Sequence, residues 1–150
     1  MIQFKKVREV KNPTRGTNGS AGLDFYIPSD FNDGKTYQLN PNKDVNIPSG
    51  IHIKFPRGYA LIAFNKSGIS TKKQLIAGAC VVDSDYQGEI HLHIINVSKM
   101  PQFLKAGDKI LQFLLVPAPP CNVEEVDTME ELYPEESERG TGAFGSTGTE

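Results

Sequence analysis

A chain of 150 residues with 38% hydrophobic content suits one domain, with a core large enough to need no staples. Its net charge of −2 removes the electrostatic case for a nucleic-acid partner, which normally requires a basic face. Two cysteines, Cys80 and Cys121, are too few for a disulfide framework and read as buried free thiols of a reducing compartment.

The first ten residues, MIQFKKVREV, lack the apolar centre of a signal peptide, and no later run is long enough to span a membrane. The expectation is a cytoplasmic protein with no membrane partner. Gly, Pro, Asn and Asp crowd the stretches NPTRGTNGSAG, PSDFNDGK, NPNKD and PSG, which read as turns. Between the first two, AGLDFY places Asp24 among apolar residues near the start of a strand. GIHIKFP sets Ile51, Ile53 and Phe55 against His52 and Lys54, a strand with a period of two. YALIAF is a continuous apolar run, as expected for a strand covered on both faces.

NKSGIS follows, with one helical turn expected after Lys66 and Ser67 as its cap. A lysine, a hydroxyl and free backbone N–H groups at a turn suit an anion, although K-S-G is common in ordinary loops. VVDSDYQGE reads as a β-hairpin with Asp83, Asp85 and Tyr86 at its tip. Asp and Gly form turns for their own reasons. Asp83 directly follows an apolar strand, however, where partial desolvation would poise a carboxylate as a base. EIHLHII alternates Ile90, Leu92 and Ile94 with His91 and His93. The two histidines share a face that would permit metal ligation, but with no further ligand nearby they read as solvated or packed side chains. KILQFLLVPA is a strand ended by prolines, and its Gln112 should need a polar partner.

VEEVDTMEELYPEESE holds eight of the eighteen acidic residues and reads as a solvated linker with a helical turn at Met129 to Leu132. The last stretch, RGTGAFGSTGTE, contains Gly140, Gly142 and Gly145 at the G-x-G-x-x-G spacing of dinucleotide-binding folds. That motif works only between a strand and a helix. Neither is expected here, so the dinucleotide reading fails. The segment reads either as an unstructured terminus or as an arm that folds over a ligand; Arg139 and Phe144 favour the arm. Short strands, turn-rich connections and no long amphipathic helix together give an all-β sandwich or jelly roll.

Taken together, AGLDFY, NKSGI, GACVVDSDYQGEI, GDKILQF and RGTGAFGSTG resemble, in order and approximate spacing, the five signature motifs of the homotrimeric dUTPase family. The third and fifth motifs are highly specific, and the resemblance covers essentially the whole chain. It implies a jelly-roll subunit at residues 1–122, an acidic linker at 123–138 and an arm at 139–150, assembled as a homotrimer with shared active sites. It also implies Mg2+-dependent hydrolysis of dUTP to dUMP and pyrophosphate, which removes dUTP and supplies dUMP for dTMP synthesis.

By the same resemblance, Asp83 is the general base that activates water against the α-phosphorus. Tyr86 stacks on the deoxyribose and excludes a ribose hydroxyl, while the backbone around Cys80, Val81, Val82 and His91 reads the uracil. Lys66, Ser67, Gly68 and Gln112 hold phosphates. Another subunit's arm contributes Phe144 over the base, with Arg139, Gly145, Ser146 and Thr147 on the phosphates. Asp24 meets the metal only through water. Three departures stand out: Lys66 where arginine is usual, Cys80 where glycine is common, and a longer acidic linker. Two rivals remain. One is a nucleotide-gated regulatory module whose protein partner the sequence does not identify, with DFNDGK and ELYPEES as candidate surfaces. The other is a dCTP deaminase, which DSDYQGE disfavours.

Overall fold

The computed structural model describes residues 1–143. Residues Met1–Pro120 form one compact unit, and a second begins at Cys121. In the first unit, ten strands build two four-stranded antiparallel sheets and one two-stranded ribbon, the all-β jelly-roll architecture expected from the sequence. One sheet has the order β1 (Gln3–Lys6), β4 (Asp44–Lys54), β8 (Glu89–Asn96), β6 (Leu75–Ala77). The other runs β2 (Leu23–Phe25), β10 (Leu111–Pro117), β5 (Tyr59–Asn65), β7 (Val81–Val82). The ribbon pairs β3 (Tyr37–Leu39) with β9 (Gln102–Leu104).

Alternation decides which faces meet. Ile90, Leu92 and Ile94 on β8 and Ile51 and Ile53 on β4 are buried, against Leu61 and Ala63 on β5 and Leu111 and Phe113 on β10. Phe113 packs on Phe25 with ring centroids 4.7 Å apart. Each fully buried side chain of this size contributes about 1.5–3 kcal/mol, so this shared layer is what holds the two sheets together.

Three local expectations differ. PSG is not a turn but lies inside β4. The register there jumps from Pro48 opposite His91 to His52 opposite Glu89, so β4 spends four residues where β8 spends two. Pro48 has no N–H for the ladder, and Gly50 takes a φ of 76° that only glycine adopts freely. Its N–H donates to Glu89 Oε1 at 2.6 Å, which keeps the bulge satisfied. YALIAF is fully covered on one face only: Leu61 and Ala63 are buried, while on the other Ala60 is buried, Ile62 is half-buried and Phe64 is 44% exposed. The outer face of β5 is therefore apolar and left uncovered within one chain toward its Phe64 end. The helix after β5 is α1 (Ser67–Lys73), two turns rather than one. Lys66 occupies its cap position in an extended conformation, with no side-chain cap bond, so Ser67 is the first helical residue and not the cap.

In the second unit, α2 (Met129–Leu132) forms where the helical turn is expected. Thr128 caps it by accepting from the Glu131 N–H at 3.2 Å, and Glu131 Oε2 accepts from the Asp127 N–H at 3.1 Å.

Candidate active site

Two constellations of polar residues stand at different places on the second sheet. The first lies where β5 ends. Register sets Gln112 on β10 directly opposite Asp24 on β2 and also opposite Phe64 on β5. Asp24 is only 4% exposed, so its charge needs compensation. One carboxylate oxygen accepts from the Lys66 ammonium and the other from Lys109 Nζ at 3.1 Å. The hydrogen bond to Asp24, and then its negative charge, hold the Lys109 pKa above the ordinary lysine value. Two ammonium groups against one carboxylate leave a net positive corner that favours an anion.

Gln112 finds the partner its position demands: Nε2 donates to the Asn65 carbonyl at 2.9 Å. Gly22 makes room for it, since a Cβ there would fall 2.2 Å from Gln112 Oε1. Ser67 and Gly68 stand exposed at the start of α1, whose first N–H groups have no partner within the helix. Lys109 was not singled out in the sequence. Its spacing from Gln112 becomes meaningful only once β10 is paired with β2.

The second constellation is a cleft. β7 pairs with β5, whereas β8 pairs with β4 and β6, so the limbs on either side of residues 83–88 join different sheets. VVDSDYQGE is therefore not a closed hairpin, because each limb takes its ladder from another neighbour. The limbs diverge around a hollow of about 170 Å³ that brings together Cys80, Val81, Val82, Asp83, Tyr86 and His91, with Phe113 also in its lining. This volume is below the roughly 300 Å³ at which pockets for whole small molecules begin. It takes one ring, not an entire nucleotide.

Tyr86 is 46% exposed, and its hydroxyl donates to the Glu89 carbonyl at 3.1 Å. Gly88 lies against the phenol so closely that a Cβ would be 2.2 Å from the hydroxyl. His52 Nδ1 donates to the Gln87 carbonyl at 2.8 Å, fastening the turn to β4. A larger hollow of about 480 Å³ lies against β1 and β4, and Tyr86 borders both.

Two expectations about this region are corrected. Asp83 is exposed rather than desolvated, because the strand before it is only two residues long and ends at the rim. Both cysteines are free but exposed. Cys80 sits in the irregular stretch between β6 and β7; its carbonyl accepts from the Ala63 N–H of β5 at 2.8 Å, while the residue itself stays exposed. His91 Nδ1 donates to the Glu89 carbonyl at 2.9 Å, and His93 is held by Asp44 and Ala79. Among the described residues, no group of three or more His, Cys, Asp or Glu side chains is placed to hold a metal. Asp24 is a single buried carboxylate already paired with Lys66 and Lys109, so these residues form no protein cage for a metal.

Register separates the two constellations. Val82 stands opposite Leu61, which puts Asp83 level with Ala60, while Lys66 follows Asn65 at the far end of the strand. Six residues of strand at roughly 3.3 Å each set them about 20 Å apart.

In the second unit, the Arg139 Nε donates to the Gly142 carbonyl at 3.1 Å, and Gly140 adopts a φ of 51°. Phe144, Gly145, Ser146 and Thr147 lie outside the described residues. No helix among the described residues is long and apolar enough to cross a membrane.

The sequence profile of the dUTPase family matches residues 8–148. A deoxyuridine 5'-triphosphate nucleotidohydrolase of Wolbachia pipientis subsp. Culex pipiens is 34% identical over 152 residues, covering 98% of this chain and 95% of the relative. One from Finegoldia magna is 34% identical, covering 98% and 99%. Among solved structures, the Staphylococcus bacteriophage 80alpha dUTPase with dUPNHPP superposes with a TM-score of 0.80 at 23% identity, over 99% of this chain and 98% of that one. That protein is described as controlling transfer of virulence genes by a G protein-like mechanism. A mutant dUTPase from phage phi11 of S. aureus, described as coordinating a structural Mg(II) ion, gives 0.75 at 21% identity, over 87% and 99%.

Proposed function

This chain belongs to the dUTPase family and is a dUTP diphosphatase, and we propose that its active sites are assembled between subunits of a homotrimer. The observation that carries the proposal is the cleft, which gathers every described residue expected at the nucleoside around one ring-sized hollow with Asp83 on its rim. The uracil enters between the limbs, where backbone groups near Cys80 and Val82 face its edge. Tyr86 lies against the deoxyribose and leaves no space for a 2′-hydroxyl. Asp83 takes a proton from a water that attacks the α-phosphorus in line with the departing pyrophosphate.

The phosphates cannot reach this chain's own anion corner. A triphosphate chain is far shorter than the separation of about 20 Å along β5. A neighbour's Lys66, Ser67, Gly68 and Gln112 must supply that corner, and the uncovered apolar face of β5 supports such packing. Lys66 contributes a point charge rather than a bidentate fork. Asp24 would face the hydrated Mg2+ that accompanies the triphosphate, a cation that neutralises phosphate charge when bound. Residues 139–150 close the site, with Arg139, Gly145, Ser146 and Thr147 on the phosphates and Phe144 over the base.

Pyrophosphate release from dUTP, dTTP, dCTP and UTP, with native mass recorded alongside, tests the reading. Turnover of dUTP alone by a trimer is expected. Ammonia release from dCTP, or equal turnover of UTP, would overturn it.

A further inference from the structure

We infer that His93, a residue outside the uracil cleft, positions the cleft wall by acting as a hydrogen-bond acceptor for Ala79. The inference rests on the reading of this cleft as the nucleoside site. His93 lies on β8 between the buried Leu92 and Ile94, and its side chain is 24% exposed. The segment Gly78–Ala79–Cys80 passes across it between β6 and β7, and both Ala79 and Cys80 line the cleft.

Three contacts fix that segment to His93. The Gly78 N–H donates to the His93 carbonyl at 2.9 Å. The bare face of Gly78 lies on the imidazole, where a Cβ would come within 2.2 Å of Nδ1. The Ala79 N–H donates to Nδ1 at 2.7 Å. A backbone N–H can only donate, so Nδ1 carries no proton and the ring proton sits on Nε2. Nε2 then donates to Asp44 Oδ2 at 3.0 Å. Asp44, at the start of β4, thereby selects the tautomer that leaves Nδ1 free to accept. His52 and His91 use Nδ1 against carbonyl oxygens, so they donate from it. His93 is the histidine of the opposite tautomer.

Without that acceptor the Ala79 N–H has no anchor, and the wall that reads the base edge loosens. The loss acts on binding before chemistry begins, so it raises KM and spares kcat. His93→Leu removes the acceptor. His93→Gln stays polar and reaches Asp44 but has no acceptor at the δ position. His93→Asn places Oδ1 where Nδ1 was.

The test measures Ala79 amide hydrogen exchange by NMR together with kcat and KM for dUTP in the full chain. For the Leu and Gln variants, faster Ala79 exchange and a KM raised about tenfold with kcat within about twofold are expected, the loss of one hydrogen bond. The Asn variant should restore both protection and KM. Parent-like exchange and KM in both the Leu and Gln variants overturns the inference, as does an Asn variant no better than Leu. Should the parent protein leave dUTP intact, the proposed function fails instead, while Ala79 exchange still decides the role of His93.

Discussion

Asp83→Asn should lower kcat for dUTP by about 10²–10⁴-fold, the usual contribution of a positioned general base. Asn has the same shape and a neutral amide that cannot take the proton of the attacking water. The loss should fall on kcat with KM little changed, because in the proposed mechanism Asp83 meets the water and not the base or the phosphates. Folding should not suffer. Asp83 is exposed on the rim, and the Tyr86 N–H donates to its backbone carbonyl at 3.2 Å, a bond that the substitution leaves in place. Steady-state kinetics beside a thermal melt checks both halves. An Asn variant as fast as the parent would remove Asp83 from the mechanism.

Ending the chain at residue 138 should cost about 10²–10³-fold in kcat, the scale of losing a preorganised donor to developing charge, and should raise KM as well. The triphosphate concentrates negative charge, and Arg139 is the one cation in residues 139–150. In the proposed role of this segment, Phe144 caps the base, and its loss would let water reach the reacting phosphorus freely. Among the described residues the core lies within residues 1–120, so the shortened chain should melt like the parent and keep the same number of subunits by native mass. Kinetics of the two proteins decides the matter. Undiminished turnover by the shortened chain would refute the role given to residues 139–150.

Much of the fold was legible because one physical rule produced it. The alternation of Ile51, Ile53 and Phe55, and of Ile90, Leu92 and Ile94, named the inward faces directly. The helical turn at Met129 was expected from the sequence, and the structure adds its cap, Thr128 three residues before Glu131. The bulge in β4 was not, since Pro and Gly mark a turn and a bulge alike, and only the register with β8 separates them. The exposure of Cys80 depended on which strands cover it, a tertiary matter that hydrophobicity does not report.

The site followed the same division. Cys80 to Tyr86 and His91 were visible because they crowd into one short stretch, and the fold bends that stretch around a hollow. Lys109 and His93 were not, because each works through a partner distant in sequence, Asp24 for one and Asp44 with Ala79 for the other. The separation of Asp83 from Lys66 was hidden for a related reason. The two motifs lie seventeen positions apart in the chain, and only strand pairing shows that they point to opposite ends of β5.

Subunit mixing tests whether that separation is bridged by a second chain. Asp83→Asn protein and a Lys66→Ala, Gln112→Ala double variant should each be nearly inactive alone. Unfolded and refolded together in equal amounts, they should, on the proposed assembly, form mixed trimers in which some sites take Asp83 from one subunit and the intact anion corner from its neighbour. With random assembly about a quarter of the sites are complete, so roughly a quarter of parent turnover should return. Mixed trimers confirmed by native mass that stay as inactive as their parents would contradict a site shared between chains.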